Sequence, residues 1–288
     1  MSSFVAQPYE PIVLRMPVDE GNEILIGVPK RMIDRSIVVG SHDPLTGTPP
    51  YEEAANKLLE GDRWSSRRIF VTSARDGDGK TRTAFNLAAS LASGGKRVLL
   101  VEINFTQPRF RALLGNLRIR YGIDTATSGA ATPAESVFSV EGSGLHLTAV
   151  RCATSAARLE RCLLHLNDFL DWANEQYELL VIDCPSVLSP EWSRWFHAFV
   201  GQALLVVRED RTPRADIRTA ARLLGDHLTG AWFNHSQQIP AELTHSRPAR
   251  VIGSEVKPSP RSLESIRTIT TLLAHTSGTL DVDRQNQF

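Results

Sequence analysis

From residue 68 to residue 234, short uninterrupted apolar runs alternate with longer segments in which apolar positions recur at helical spacing. The runs Arg68 to Thr72, Arg97 to Val101, His146 to Val150, Leu179 to Ile182, Ala203 to Val207 and Leu228 to Phe233 predict strands, several of them covered on both faces. Between them, Ala84, Leu87, Ala88 and Leu91 predict a helix that Gly94-Gly95 stops. An amphipathic segment from Leu159 to Tyr177 predicts a second helix. Thr212-Pro213 reads as an N-cap followed by proline at the first helical position, opening a third helix that runs to about His227. Strands alternating with helices in this way predict an α/β fold: an open, mostly parallel sheet with helices on both faces, binding ligands at the carboxyl ends of its strands.

The flanks are less regular. Residues 1–50 are rich in Pro and Gly, with Ile12 to Leu14 and Ile24 to Ile26 as strands or extended arms. Tyr51 to Glu60 is helix-like. Beyond Asn234 the chain is polar and Pro-rich, with one helix expected from Pro260 to His275 on the stripe Leu263, Ile266, Ile269 and Leu273, and a frayed end from Ser277. The expected division is an N-terminal extension over 1–50, the main domain over 51–235 and a C-terminal extension over 236–288.

Composition narrows the classes. With 288 residues, 42% apolar and 22% charged, one main globular domain is expected. The 32 basic and 32 acidic side chains cancel, so no global field draws the chain to nucleic acid or an anionic membrane, although a local basic patch stays open. No apolar run approaches the roughly 20 residues of a membrane span, and Met1-Ser-Ser-Phe-Val lacks the regions of a signal peptide, so a cytoplasmic location is expected. Cys152, Cys162 and Cys184 are scattered without paired spacing and read as buried thiols. The eight histidines show no ligand spacing.

The chemistry concentrates after the first predicted strand. Arg68-Ile-Phe-Val-Thr-Ser-Ala-Arg-Asp-Gly-Asp-Gly-Lys80-Thr81 is an apolar run entering a glycine-bearing turn that opens a helix. Such a turn cradles phosphate. Gly77 and Gly79 let main-chain N–H groups approach the anion, Lys80 reaches β- and γ-oxygens, and the Thr81 hydroxyl is placed for Mg²⁺. Arg75, Asp78 and Arg82 lie in or beside the turn and are further candidate contacts. Ala74 stands where the strict pattern has its first glycine. Glu102 and Asn104 follow the second strand and Asp183 ends a later one, so three strand ends supply donors, an ammonium and carboxylates to one crevice. ATP or GTP with Mg²⁺ is therefore expected, with Lys80, Glu102 and Asp183 as catalytic candidates and Thr81 beside the metal.

Ser73-Ala-Arg-Asp-Gly-Asp-Gly-Lys-Thr81, Asn86-Leu-Ala-Ala-Ser-Leu-Ala92, Gly95-Lys-Arg-Val-Leu-Leu-Val101, Pro108 and Val181-Ile-Asp-Cys-Pro185 together resemble the cytoplasmic kinase domain of bacterial tyrosine kinases, within the MinD/ParA-like P-loop ATPases. The resemblance covers about Pro50 to Asn234. It implies an ATP-binding role in capsule or exopolysaccharide synthesis or export, docking on the cytoplasmic end of a membrane co-polymerase or export protein, with peripheral membrane association through that partner and homo-oligomerisation. It also implies ATP and Mg²⁺ as cofactors, Glu102 as base, Thr81, Asp183 and the Asn104 position as the groups that hold Mg²⁺, and Asn234 as the reader of adenine. Three departures from the family pattern stand out. Where the family has Asp-x-Asp this chain has Glu102 and Asn104, and Asn104 brings no negative charge, which should weaken the metal and slow hydrolysis. The only tyrosines are Tyr9, Tyr51, Tyr121 and Tyr177, so the tail has no phosphoacceptor cluster. Glu53 is followed by Asn56 and Leu59 where the ring-forming helix has arginines.

Arg75 sits at the position of the lysine that crosses the dimer in MinD and ParA relatives, and an Arg could do the same work. The resemblance thus leaves a weak ATPase or kinase-like phosphotransferase, a nucleotide-binding scaffold or pseudokinase, and a MinD/ParA-like positioning ATPase as alternatives. The end Asp281 to Phe288 is not the basic amphipathic helix that MinD-like membrane binding wants, and neutral charge argues against nucleic acid.

Overall fold

A computed structural model describes residues 12–17, 23–28, 51, 55, 67–114, 116, 118–140, 143–190, 192, 201–208 and 211–234. The elements are β1 (Ile12–Pro17), β2 (Glu23–Val28), β3 (Arg68–Ser73), α1 (Lys80–Ser93), β4 (Val98–Glu102), α2 (Phe110–Leu113), α3 (Ile123–Ala126), β5 (Phe138–Val140), β6 (Leu145–Thr148), α4 (Ala156–Leu164), α5 (Leu166–Gln176), β7 (Leu179–Asp183), β8 (Gln202–Arg208), α6 (Arg214–Leu224) and β9 (Leu228–Asn234). One sheet runs in the order β2-β1-β5-β6-β4-β7-β3-β8-β9. Its six strands from β6 to β9 are parallel, while β5 runs antiparallel to β6, and β1 antiparallel to both β5 and β2. The expected mostly parallel α/β sheet is what forms. The apolar pieces at residues 12 and 24 become an edge hairpin of it.

Period-two alternation sorts each central strand between two cores. Val98 and Leu100 of β4 pack with Ala84, Phe85, Leu87, Ala88 and Leu91 of α1 on one face. Leu99 and Val101 pack with Phe169 and Leu170 of α5 and Ile217 and Ala220 of α6 on the other. Every residue of β4 is buried, which is why the run carries no polar alternation. Each such Val or Leu contributes roughly 1.5–3 kcal/mol by leaving water.

Two boundaries differ from the sequence expectation. The segment from Leu159 to Tyr177 is two helices, since His165 closes α4 and precedes α5. Its buried positions 159, 162, 166, 169, 170 and 173 keep helical spacing through the break, so periodicity alone hides it. Thr212 is not the N-cap of α6. Pro213 takes that place, because the Thr212 hydroxyl is turned to the side chain of Asp78, 2.8 Å away. Tyr51 and Ala55 are helical, and the Tyr51 ring stacks on Trp232 of β9 at 4.4 Å between centroids. The rest of the 51–60 segment, the Glu53, Asn56 and Leu59 positions, and the 260–275 helix lie outside the described residues.

Candidate functional site

Parallel register sets the site. Asp183, last in β7, stands opposite Val71 of β3 on one side and Glu102 of β4 on the other, so the carboxyl ends of three adjacent strands meet. From β3 the chain enters the turn 74–79 and then α1. Gly77 and Gly79 take φ of 92° and 95°, conformations that any side chain would strain. Gly79 is the N-cap of α1 and no side chain caps that end, which leaves the first N–H groups of a 14-residue helix facing the turn.

The turn is braced from outside. The Asp78 carboxylate accepts from Arg75 N–H at 3.2 Å and from the Thr212 hydroxyl at 2.8 Å. Asn234, at the end of β9, donates its amide to the Asp78 carbonyl at 2.8 Å and accepts from Trp232 Nε1 at 2.8 Å. Both ends of the Asn234 side chain are therefore engaged with protein, and a Cβ at Gly79 would press into its amide.

Inside the turn, Lys80 Nζ is buried and lies 2.7 Å from Asp76 Oδ1. Burial pushes the Asp76 carboxyl up, but the hydrogen bond and charge of Lys80 outweigh it and the net shift is downward. Asp183 is 0% exposed, and neither carboxyl oxygen has a hydrogen-bond partner. Burial lifts it to about 7, opposed by the Lys80 charge and by the nearby Thr81 hydroxyl, which is close but outside hydrogen-bond geometry. An unpartnered buried carboxylate is expensive unless something else completes it. Its hard oxygens beside a hydroxyl fit Mg²⁺, which takes one or two protein ligands and fills its octahedron with water and phosphate. Among the described residues no group of three or more His, Cys, Asp or Glu forms a closed metal cage.

The remaining predicted residues are placed differently. Glu102 is fully buried, with Oε1 accepting from the N–H groups of Arg109 and Phe110 and Oε2 from Val150 N–H at 2.9 Å. Burial raises it to about 8, with those three donors pulling the other way. Asn104 Oδ1 accepts from Gln107 N–H at 3.2 Å, closing a local turn. Arg75 is held by the Asp216 carboxylate of α6, and Arg82 is exposed on α1. Sequence reasoning missed Asp76, Thr212 and Asp216. Asp76 alone had a signal: an acid inside the turn, four residues before the lysine.

Sheet order, glycine turn and strand-end carboxylate together give the P-loop, MinD/ParA-like three-layer α/β fold. No family model matches the chain. The chain is 25% identical over 166 residues, 56% of its length, to a Klebsiella pneumoniae protein named as a tyrosine-protein kinase in a cps region. It spans only 21% of the length of that relative. It is 36% identical over 126 residues, 43% of its length and 48% of the relative's, to the chromosome-partitioning ATPase Soj of Thermus thermophilus. Among solved structures, the chimerical protein CapA2B2 superposes with a TM-score of 0.60 at 21% identity, covering 70% of this chain and 90% of that one. The kinase domain of the Escherichia coli tyrosine kinase ETK superposes with 0.56 at 18% identity, covering 72% and 92%. In sequence and in fold the chain thus resembles bacterial tyrosine-kinase domains within the MinD/ParA-like P-loop ATPases.

Proposed function

We propose that the chain binds ATP with Mg²⁺ in the turn between β3 and α1, and serves capsule or exopolysaccharide synthesis or export as a kinase-like ATPase docked on the cytoplasmic end of a membrane co-polymerase. The observation that carries the nucleotide reading is the bare, fully buried Asp183 carboxylate one strand away from Lys80 and Thr81. In this reading the turn N–H groups and Lys80 hold the phosphates, and Lys80 exchanges its partner Asp76 for a phosphate oxygen. Thr81 and Asp183 hold the cation, which would neutralise charge on the β- and γ-oxygens. Calorimetric titration with Mg-ATP tests it: binding in the wild type and none in Lys80→Ala is expected, and equal affinities would overturn it. The likeness to proteins named as tyrosine-protein kinases, one in a cps region of Klebsiella pneumoniae and one named EpsB in Ralstonia solanacearum, supports the polysaccharide setting.

A second reading is favoured by the state of Glu102 and Asn104, both turned to main-chain N–H groups. It makes the protein a scaffold whose shape follows nucleotide occupancy. Mg²⁺-dependent phosphate release that disappears in Asp183→Asn would exclude it.

A further inference from the structure

The net charge of zero conceals a strongly asymmetric segment. Between residues 109 and 161 the chain carries seven arginines, no lysine and four acids. Part of this excess converges on a cavity of about 220 Å³ at the carboxyl end of β6, lined by Arg151, Arg158, Arg161, Thr125, Ser128 and Asp124. Arg158 and Arg161 stand three residues apart on α4 and so share a face. In the sheet order β4 and β7 separate β6 from β3, so the cavity lies to the side of the Lys80 turn at the same carboxyl end of the parallel strands. None of its lining residues braces that turn.

The donors and acceptors inside it are unequally engaged. Asp124 is buried, accepts from Arg151 N–H at 2.7 Å and has its other oxygen 4.0 Å from Arg151 Nε. The one acid of the cavity is therefore already matched to Arg151. The Thr125 hydroxyl donates to the Gly122 carbonyl at 2.7 Å, and the Ser128 hydroxyl to the Thr125 carbonyl at 3.1 Å. No hydrogen bond or ion pair ties the exposed guanidiniums of Arg158 and Arg161 to any described residue. Two positive charges with fork-shaped donors thus border a cavity whose acid and hydroxyl groups are engaged elsewhere. Guanidinium forks pair with the oxygens of phosphate in bidentate fashion, and a dianion balances two such charges.

We propose that this cavity is a second anion site, separate from the nucleotide turn, which binds a phosphate dianion, either free or as the head of a small monoester. Arg158 and Arg161 supply the principal donors, and Arg151, held in place by Asp124, the third.

The test is amide NMR titration of full-length Lys80→Ala protein, in which the nucleotide turn is disabled, with inorganic phosphate and with phenyl phosphate at constant ionic strength. Saturable shifts confined to residues 122–130 and 151–161 are expected. Adding Arg158→Ala and Arg161→Ala should weaken them at least tenfold. Both sites are exposed on a helix where alanine is well tolerated, and an unchanged spectrum elsewhere confirms that the variant folds. Equal affinity for the two probes identifies free phosphate as sufficient, and tighter phenyl phosphate identifies the monoester. Shifts that do not saturate, that chloride reproduces, that map to residues 74–81, or that survive the double replacement would each overturn the proposal.

Discussion

Exchange of Glu102 for Gln preserves the length of the side chain and turns one carboxyl oxygen into an amide donor. The structure gives that change two opposed consequences. Oε1 receives two N–H groups and Oε2 a third, so the best placement of the amide keeps its carbonyl under Arg109 and Phe110 and sets an NH₂ against Val150 N–H. Val150 N–H then faces donors instead of an acceptor, and leaving that buried N–H unpaired costs about 1–3 kcal/mol. A protonated Glu102 avoids this, since both of its oxygens keep acceptor lone pairs. Against it stands the rise of the Glu102 pKa from 4.5 to about 8. An acid whose folded pKa exceeds its unfolded one holds its proton more tightly when folded, so stability falls as pH rises from about 4.5 and levels off above about 8. The whole penalty is on the order of 5 kcal/mol, and Gln carries none of it. The variant should therefore be less stable than wild type near pH 4.5, by about 1–3 kcal/mol, and more stable at pH 9. Urea unfolding at a series of pH values without Mg²⁺ checks this, and hydrogen exchange should show faster opening at Val150 than at Phe110. A difference that does not change with pH would refute the assignment of Glu102 as a buried brace. So would a variant as stable as wild type at pH 4.5 that has lost all phosphate release, because that is the behaviour of a base.

The Asp183 carboxyl, raised to about 7, follows the same sign: without metal, Asp183→Asn should raise the unfolding midpoint at pH 8 and not below pH 4, while Mg-ATP should stabilise wild type more than the variant. A variant less stable than wild type at pH 8 would show that the carboxylate has a partner. Asp76→Ala frees Lys80 of its competitor, and with the Asp76 carboxylate half exposed and the pair worth about 1 kcal/mol or less, Mg-ATP should bind up to about fivefold tighter in calorimetry. Weaker binding would mean that Asp76 helps to hold the ligand. Gly79→Ala forces a left-handed residue against Asn234 and should lower stability by about 1–2 kcal/mol in thermal unfolding and remove nucleotide binding; full ATP affinity in that variant would contradict the described turn.

The sheet was legible in the chain because its central strands are buried on both faces and so appear as unbroken apolar runs, as β4 and β8 do. The three-residue β5 was not, since Phe138 to Val140 is too short to show a period. At the site, the placement of Gly77, Gly79, Lys80, Thr81 and Asp183 could be read because it depends on local order along the chain: strand, turn, helix, and an acid ending a neighbouring strand. Glu102 shows the limit of that logic. A glutamate closing an apolar run looks the same in sequence whether it faces a metal or receives N–H groups from residues 109, 110 and 150, and the second arrangement depends on where two later loops cross it. Asn234 is similar, since its amide is directed by Asp78, 156 positions earlier in the chain. Strand-end position therefore identifies which side chains reach the crevice, and the hydrogen bonds closed by distant loops decide which of them are left to act there. By that criterion Asp183 stays open and Lys80 is engaged by Asp76 of its own turn; with the turn holding a nucleotide as proposed, variants of Lys80, Thr81 and Asp183 are the first in which to seek chemistry at the γ-phosphate.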